Sequence, residues 1–255
     1  MVMDIMRKRF TIELAGLLIE IDAGFTSACV LCRDYLKEGQ PDIRIRVTEE
    51  DVERELMENG KQKYLRVSAE TGAVYHKIAD AVLHYNTLLM HGAVVAIGND
   101  AYMFCAPSGT GKTTHVGLWL KNRRDAIIIN GDKPLIRVSE GDVLVYGTPW
   151  SGSENLNVNT SAHLKAIVFM ERAENNMVEE ISFAKAYPSL WKQTYIPQDE
   201  DLAHKALSLL LSIGGRVPVY RFRFNNFKDD CFRTAYDALV SGDNKGSPSF
   251  HDVPC

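Results

Sequence analysis

The 255-residue sequence has no excess of either charge: 29 Lys and Arg stand against 33 Asp and Glu, for a formal net charge of −4. Nucleic acids and anionic bilayers attract strongly basic patches, so neither is an expected partner. No apolar run approaches the roughly 20 residues of a spanning helix. The basic start MVMDIMRKRF leads into alternating residues rather than an apolar block, so no signal peptide is expected. The five cysteines are odd in number and lack the spacing of a disulfide framework, which suits a reducing compartment. Internal repeats and low-complexity linkers are missing too. What remains is 45% hydrophobic and 24% charged, long enough for one large core or two modest ones. A soluble, cytoplasmic protein is the expectation.

The first third is periodic. FTIELAG (10–16) and LLIEIDA (17–23) alternate as half-buried strands do, and so does IRIRV (43–47). TSACVLCRDYLKEG (26–39) and TEEDVERELMENG (48–60) each open on a capping residue and close on glycine, which predicts helices. YLRVS (64–68) reads as a short strand before a helix over about 70–85. This predicts a small mixed α/β unit over 1–86, with no catalytic motif in it.

The texture changes from residue 87. LMHGAVVAI (89–97) and AYMFCA (101–106) flank GND, good turn chemistry for a hairpin. AIII (126–129) looks like a strand buried on both faces. PLIRV (134–138) and VLVYG (143–147) form a second hairpin around SEGD, LKAIVFM (164–170) is another buried strand, and the end alternates helix (201–213), strand (217–224) and helix (228–239). The hairpins predict a mixed sheet over 87–240 rather than a parallel, doubly wound one. The tail, 241–255, has the composition of a flexible terminus.

Between AYMFC and THVGLWLK lies APSGTGKTTH (106–115), which fits the phosphate-loop pattern with Ala106 in the first small position. Gly109 and Gly111 allow positive φ and close approach of backbone N–H groups to phosphate oxygens. A helix starting near Lys112 aims its positive end at the same point. Ser108, Gly109, Thr110, Gly111, Lys112, Thr113 and Thr114 are the expected nucleotide ligands, with Lys112 on the β- and γ-phosphates and the Thr113 hydroxyl on Mg²⁺. The motif requires a strand before it and a helix after it, and the sequence supplies both. ATP and magnesium are the expected cofactors. In NGDKPL (130–135), Asp132 directly follows the AIII strand, where a kinase needs a carboxylate to organise metal or accept a proton. Asp also commonly caps turns ahead of proline. Lys133 is either a phosphate neutraliser or the counter-ion of Asp132.

Taken together, MHGAVVAIGNDAYMFCAPSGTGKTTH and IIINGDKPLI resemble the kinase core shared by HPr kinase/phosphorylase and ATP-dependent phosphoenolpyruvate carboxykinase. The likeness spans about 88–137 and extends weakly to about 172. It implies that His91 lies near the catalytic acid and the γ-phosphate, that Lys112 and Thr113 are the loop lysine and metal-binding hydroxyl, and that Asp132 is the first acid of a pair. The second acid of that pair is Lys133 here, so one carboxylate carries over and not two. No segment corresponds to the separate substrate half of a carboxykinase, and that activity is not expected. The implied fold is α/β (α+β) with a mixed, hairpin-containing sheet. The implied function is Mg-ATP-dependent phosphorylation of a hydroxyl, Ser/Thr of a protein or peptide in first place. A small-molecule hydroxyl and a non-catalytic nucleotide-binding module are the alternatives. The resemblance also allows self-association.

The loop GTPWSGSENLN (147–157) is long and polar, as acceptor-binding or lid segments are; with Lys133 it offers Trp150, Ser151 and Gly152 as substrate contacts, although it also reads as a plain surface loop anchored by Trp150. Arg137 and Arg172 each sit at or just past a strand, where arginine clamps phosphate or makes surface salt bridges. Cys29 and Cys32 have CxxC spacing with no second pair, and read as small core-facing residues. The Arg and aromatic residues of VPVYRFRFNNF (217–227) alternate as a strand does.

Overall fold

In the computed structural model, residues 7–58, 65–107, 109–226 and 228–242 are described. The first sheet has the order β1-β2-β3. Strands β1 (Lys8–Leu14) and β2 (Leu17–Ala23) form an antiparallel hairpin closed by Ala15 and Gly16, at φ 50° and 69°. Positive φ at both central residues gives a two-residue turn whose twist matches the strands. Strand β3 (Ile43–Arg46) runs parallel to β2, and the crossover between them carries the short helix α1 (Thr26–Leu31). Helices α2 (Glu49–Glu58) and α3 (Arg66–Val82) follow. At the start of α2 the Thr48 N–H donates to Asp51 Oδ2 at 2.7 Å, while the Asp51 N–H meets Thr48 Oγ1 at 3.4 Å, the reciprocal cap that the sequence signals there.

The second sheet is nine-stranded and mixed. It contains β4 (Thr87–Leu89), β5 (Ala93–Ile97), β6 (Asp100–Cys105), β7 (Ala126–Asn130), β8 (Leu135–Val138), β9 (Val143–Tyr146) and β10 (Ser161–Arg172). Their order is β4-β8-β9-β10-β6-β5-β7, with β11 (Met177–Ile181) and β12 (Val219–Phe224) joined through β12 to the second half of β10. Alternation along β5 and β6 sends Val94, Ala96, Met103 and Cys105 to one face and Ala93, Val95, Tyr102 and Phe104 to the other. Helices α5 (Phe183–Gln193) and α6 (Glu200–Gly214) cover the first face, and α4 (Lys112–Asn122) and α7 (Asp229–Tyr236) the second. The result is a mixed α/β fold with a helix layer on each side of a mixed sheet, as expected from the hairpins.

One feature of pairing positions the site. Strand β5 lies between β6 and β7 and is antiparallel to both. The chain therefore enters β5 at the same sheet edge where it leaves β6 and β7. Residues just before β5, just after β6 and just after β7 are forced together.

Several elements differ from the sequence reading. Residues 65–68 are not a strand: Arg66 already begins α3, whose inward residues Ala69, Ala73, Val74 and Ile78 recur at helical spacing. The helix expected over 26–39 ends at Leu31 and gives way to a tight turn at Arg33–Tyr35. Strand β7 ends the strand order, and Ile127 is 42% exposed rather than buried, while residues 156–158 bond its outer edge at Ile129 and Gly131. Strand β11 and helix α5 are not marked by the sequence pattern. Gly60 and most of the tail expected over 241–255, from residue 243 on, lie outside the described residues. Among the described residues, no helix is long and apolar enough to cross a membrane. Arg221 and Arg223 on β12 pair with Glu171 and Glu179, so the charges of that aromatic strand are neutralised within the sheet.

Candidate functional site

The glycine loop leaves the end of β6 and turns back into α4. The Thr110 N–H donates to Pro107 O at 3.2 Å, and Gly111 precedes the helix at φ 109°, a conformation that an L side chain resists. Lys112, the first residue of α4, is only 9% exposed, and its Nζ donates to Ala106 O at 2.8 Å. The ammonium thus folds back over the loop that precedes it. It carries three donors, so this bond leaves capacity directed at the loop's hollow. Beneath the loop, His115 is fully buried and takes a hydrogen bond from Trp119 Nε1 at 3.2 Å. Burial holds its pKa down at about 3, so it is a neutral core residue and not part of the site's charge.

Asp132 leaves β7 through a turn organised by Asn130. The Asn130 side chain is fully buried; its Oδ1 accepts from the N–H groups of Asp132 and Lys133 at 2.8 and 2.6 Å, and its Nδ2 donates to Thr148 O at 3.0 Å. Thr148 Oγ1 in turn donates to Lys133 O at 2.7 Å. An asparagine that bonds the backbone two and three residues on is a built-in turn, and here it ties the Asp132 turn to the 147–157 loop. Gly131 permits that approach, since a Cβ there would stand 2.8 Å from Ser151 O. His91 precedes β5; its N–H donates to Gln193 O at 2.7 Å, and Gly92 N–H donates to Asp132 O at 2.9 Å. These bonds bring His91 Nε2 to 2.8 Å from Asp132 Oδ1, both side chains being about a third exposed.

Burial works to raise the Asp132 pKa, but the His91 hydrogen bond and the charges of Lys133, His91 and Lys112 outweigh it and hold the carboxyl below its ordinary value. Lys133 is pushed down, by burial first and by Lys112 next, with Asp132 opposing. The three basic side chains therefore work toward keeping Asp132 anionic.

His91, Gly109, Gly111, Lys112, Thr113 and Thr114 line one cleft of about 470 Å³ with Asp132, Ser151 and Gly152. A second, larger cavity of about 740 Å³ lies on the other side of the Asp132 turn. Asp132, Ser151 and Gly152 line both, so they form the shared wall. Lys133 and Trp150 line only the larger one, together with Ser27 and Leu31 of α1 and Thr71 and Tyr75 of α3. The structure thus brings His91, Lys112, Thr113, Thr114 and Asp132 together, and places Lys133 and Trp150 on the far side. Thr110 sits in the loop turn outside the residues that line either cleft. Ser108 lies outside the described residues. Glu154, exposed on the 147–157 loop, faces the smaller cleft, where it is a second carboxylate beside Asp132.

Arg137 and Arg172 line neither cleft: Arg137 donates to Thr87 Oγ1 at 3.0 Å, and Arg172 lies over the Phe224 ring. Cys32 is buried, with its thiol pKa pushed to about 12 by burial and by Cys29, in line with a structural role. Sequence reasoning missed Asn130, Thr148 and Tyr75. Asn-Gly-Asp is a turn signal that points to Asn130, whereas nothing local marks Thr148 or Tyr75.

Among the described residues, no cluster of three or more His, Cys, Asp or Glu side chains suits a metal ion. Thr113 and Asp132 offer oxygen donors on one cleft, a sparse set that suits magnesium, which binds through one or two carboxylates and leaves most positions to water and phosphate.

No protein-family model matches the chain, and no curated protein matches it. Among solved structures, that of the Hpr(Ser) kinase/phosphatase from Coxiella burnetii is similar to it at a TM-score of 0.36 and 9% identity, covering 62% of this chain and 96% of that one.

Proposed function

We propose that this chain is a phosphotransferase that moves the γ-phosphoryl group of Mg-ATP to a hydroxyl. The single observation that carries the reading is the His91–Asp132 pair, 2.8 Å apart, held on the same cleft as Gly109, Gly111, Lys112 and Thr113. A module that only bound a nucleotide would use such a carboxylate for magnesium alone, whereas Asp132 also lines the larger cavity, where an acceptor can stand. Backbone N–H groups of the loop and the start of α4 favour a polyphosphate, and the remaining Lys112 donors reach its outer oxygens. Magnesium, held by Thr113 and Asp132, would neutralise charge on the transferring group.

Asp132 has the reach of both clefts. Its lowered pKa makes it a weak proton acceptor, since a general base works best with a pKa near the operating pH. It acts instead as a fixed anion that orients metal and acceptor hydroxyl, with His91 locking the carboxylate's rotation. The nucleotide approaches from the smaller cleft and the acceptor from the larger. A protein Ser/Thr and a small-molecule alcohol would meet Asp132 in the same way, and the size of the second cavity favours the small molecule over the protein acceptor that the sequence resemblance implies.

The test is Asp132→Asn. Phosphoryl transfer should fall by roughly 10²- to 10³-fold, the range for losing one preorganised electrostatic group, while a fluorescent ATP analogue still binds. Full transfer by the Asn variant, or no nucleotide binding by the unaltered protein, would reject the assignment.

A further inference from the structure

Resting on the phosphotransferase reading, we infer that the larger cavity is the acceptor site and that its occupant is a small-molecule alcohol with an apolar body. Its volume, about 740 Å³, falls within the range of roughly 300–1,000 Å³ typical of small-ligand sites. Its lining is mixed, with the paired Glu55 and His76 among apolar and aromatic side chains. Val30 and Val67, 63% and 40% exposed, give the cavity an apolar rim. Deeper in stand Tyr75 and Trp150, half-buried and packed with ring centroids 5.4 Å apart, with Trp150 Nε1 donating to Thr71 O at 3.3 Å. The inner end is polar: Lys133, Ser151 and the Asp132 wall.

The occupant therefore presents its hydroxyl to Asp132 and lays its apolar body on Tyr75 and Trp150. In the transfer, the acceptor oxygen forms the new P–O bond, the bond to the β-phosphate oxygen breaks, ADP departs, and the hydroxyl proton passes to solvent or to the phosphorylated product.

The experiment uses the full chain with γ-labelled Mg-ATP and a cell extract whose own kinases have been heat-inactivated, with products resolved from ATP and inorganic phosphate and compared with a control lacking the chain. Label should appear in a low-mass product that is neither ATP nor inorganic phosphate. Ser68→Trp and Val30→Trp, exposed positions at the cavity lining, should each reduce it by about tenfold or more. Thermal unfolding and affinity for a fluorescent ATP analogue, measured on both variants, separate a blocked cavity from a damaged fold. Label on a protein band above the control, or low-mass product indifferent to both well-folded variants, overturns the inference and leaves the phosphotransferase standing. Nucleotide binding with no labelled product above the control overturns both.

Discussion

Asp132 gains its character from its neighbours rather than from its own burial. Burial alone would lift its pKa; His91, Lys133 and Lys112 reverse the sign. A carboxyl so held stays ionised until the pH falls below the ordinary Asp value of about 3.9, so the acid limb of the rate profile assigned to this group should lie below that pH. Lys133→Met removes one of the lowering charges and should move that limb to higher pH, and a pH profile of kcat for both proteins decides it. Gly152 has the opposite kind of importance, steric rather than electrostatic. It sits at φ 79°, and a Cβ there would come within 3.3 Å of the Asp132 Cβ. Gly152→Ala should cost about 1–2 kcal/mol in left-handed strain and displace the carboxylate, lowering kcat while nucleotide affinity holds. Equal losses in both would place Gly152 in the nucleotide site instead. Neither effect is legible in sequence, because Gly152 and Asp132 are neighbours only after the 147–157 loop folds back over Gly131.

At the scale of the element, helix α4 shows what was readable and what was not. The strand before the glycine loop and the helix after it were plain from AYMFC and THVGLWLK. That His115 faces inward was not. Its burial among Phe104, Trp119 and Phe222 makes the protonated form unfavourable in the fold. The unfolded chain binds a proton below about 6.5 and the folded chain only near pH 3, so the unfolded state gains protons in that window and stability falls as the pH drops through it. At pH 5 the penalty is about 2 kcal/mol, from roughly 1.4 kcal/mol per unit. His115→Phe should flatten the dependence of unfolding free energy on pH between about 4 and 6.5; an unchanged slope would show that another group is responsible. Strand β11 and helix α5 escaped notice for local reasons. The residues of β11 are exposed or only half-buried, which blurs alternation, and Pro188 interrupts α5 from within.

For the molecule as a whole, the sequence suggested a boundary near residue 86, and the sheets do change there. The cores do not separate so cleanly. Leu89 of β4 and Leu135 of β8 are buried in the same apolar cluster as Ile19, Val74 and Ile78, and Trp150 and Tyr195 pack against it. Residues 87–242 expressed alone would expose that surface. They should unfold at lower denaturant concentration than the full chain or aggregate, and the full chain should show one coincident transition by fluorescence and circular dichroism. Two well-separated transitions would count against this shared core. The same continuity explains why the second cavity was invisible beforehand: its walls come from α1, α3 and the loop at 149–155, segments that no local pattern relates.

The shared wall at Asp132 has a further consequence for economy. Asp132 lines both clefts, so on the proposed transfer water would rival the acceptor whenever the larger chamber is vacant. Basal hydrolysis of ATP should then be measurable, and should fall as an acceptor saturates that chamber.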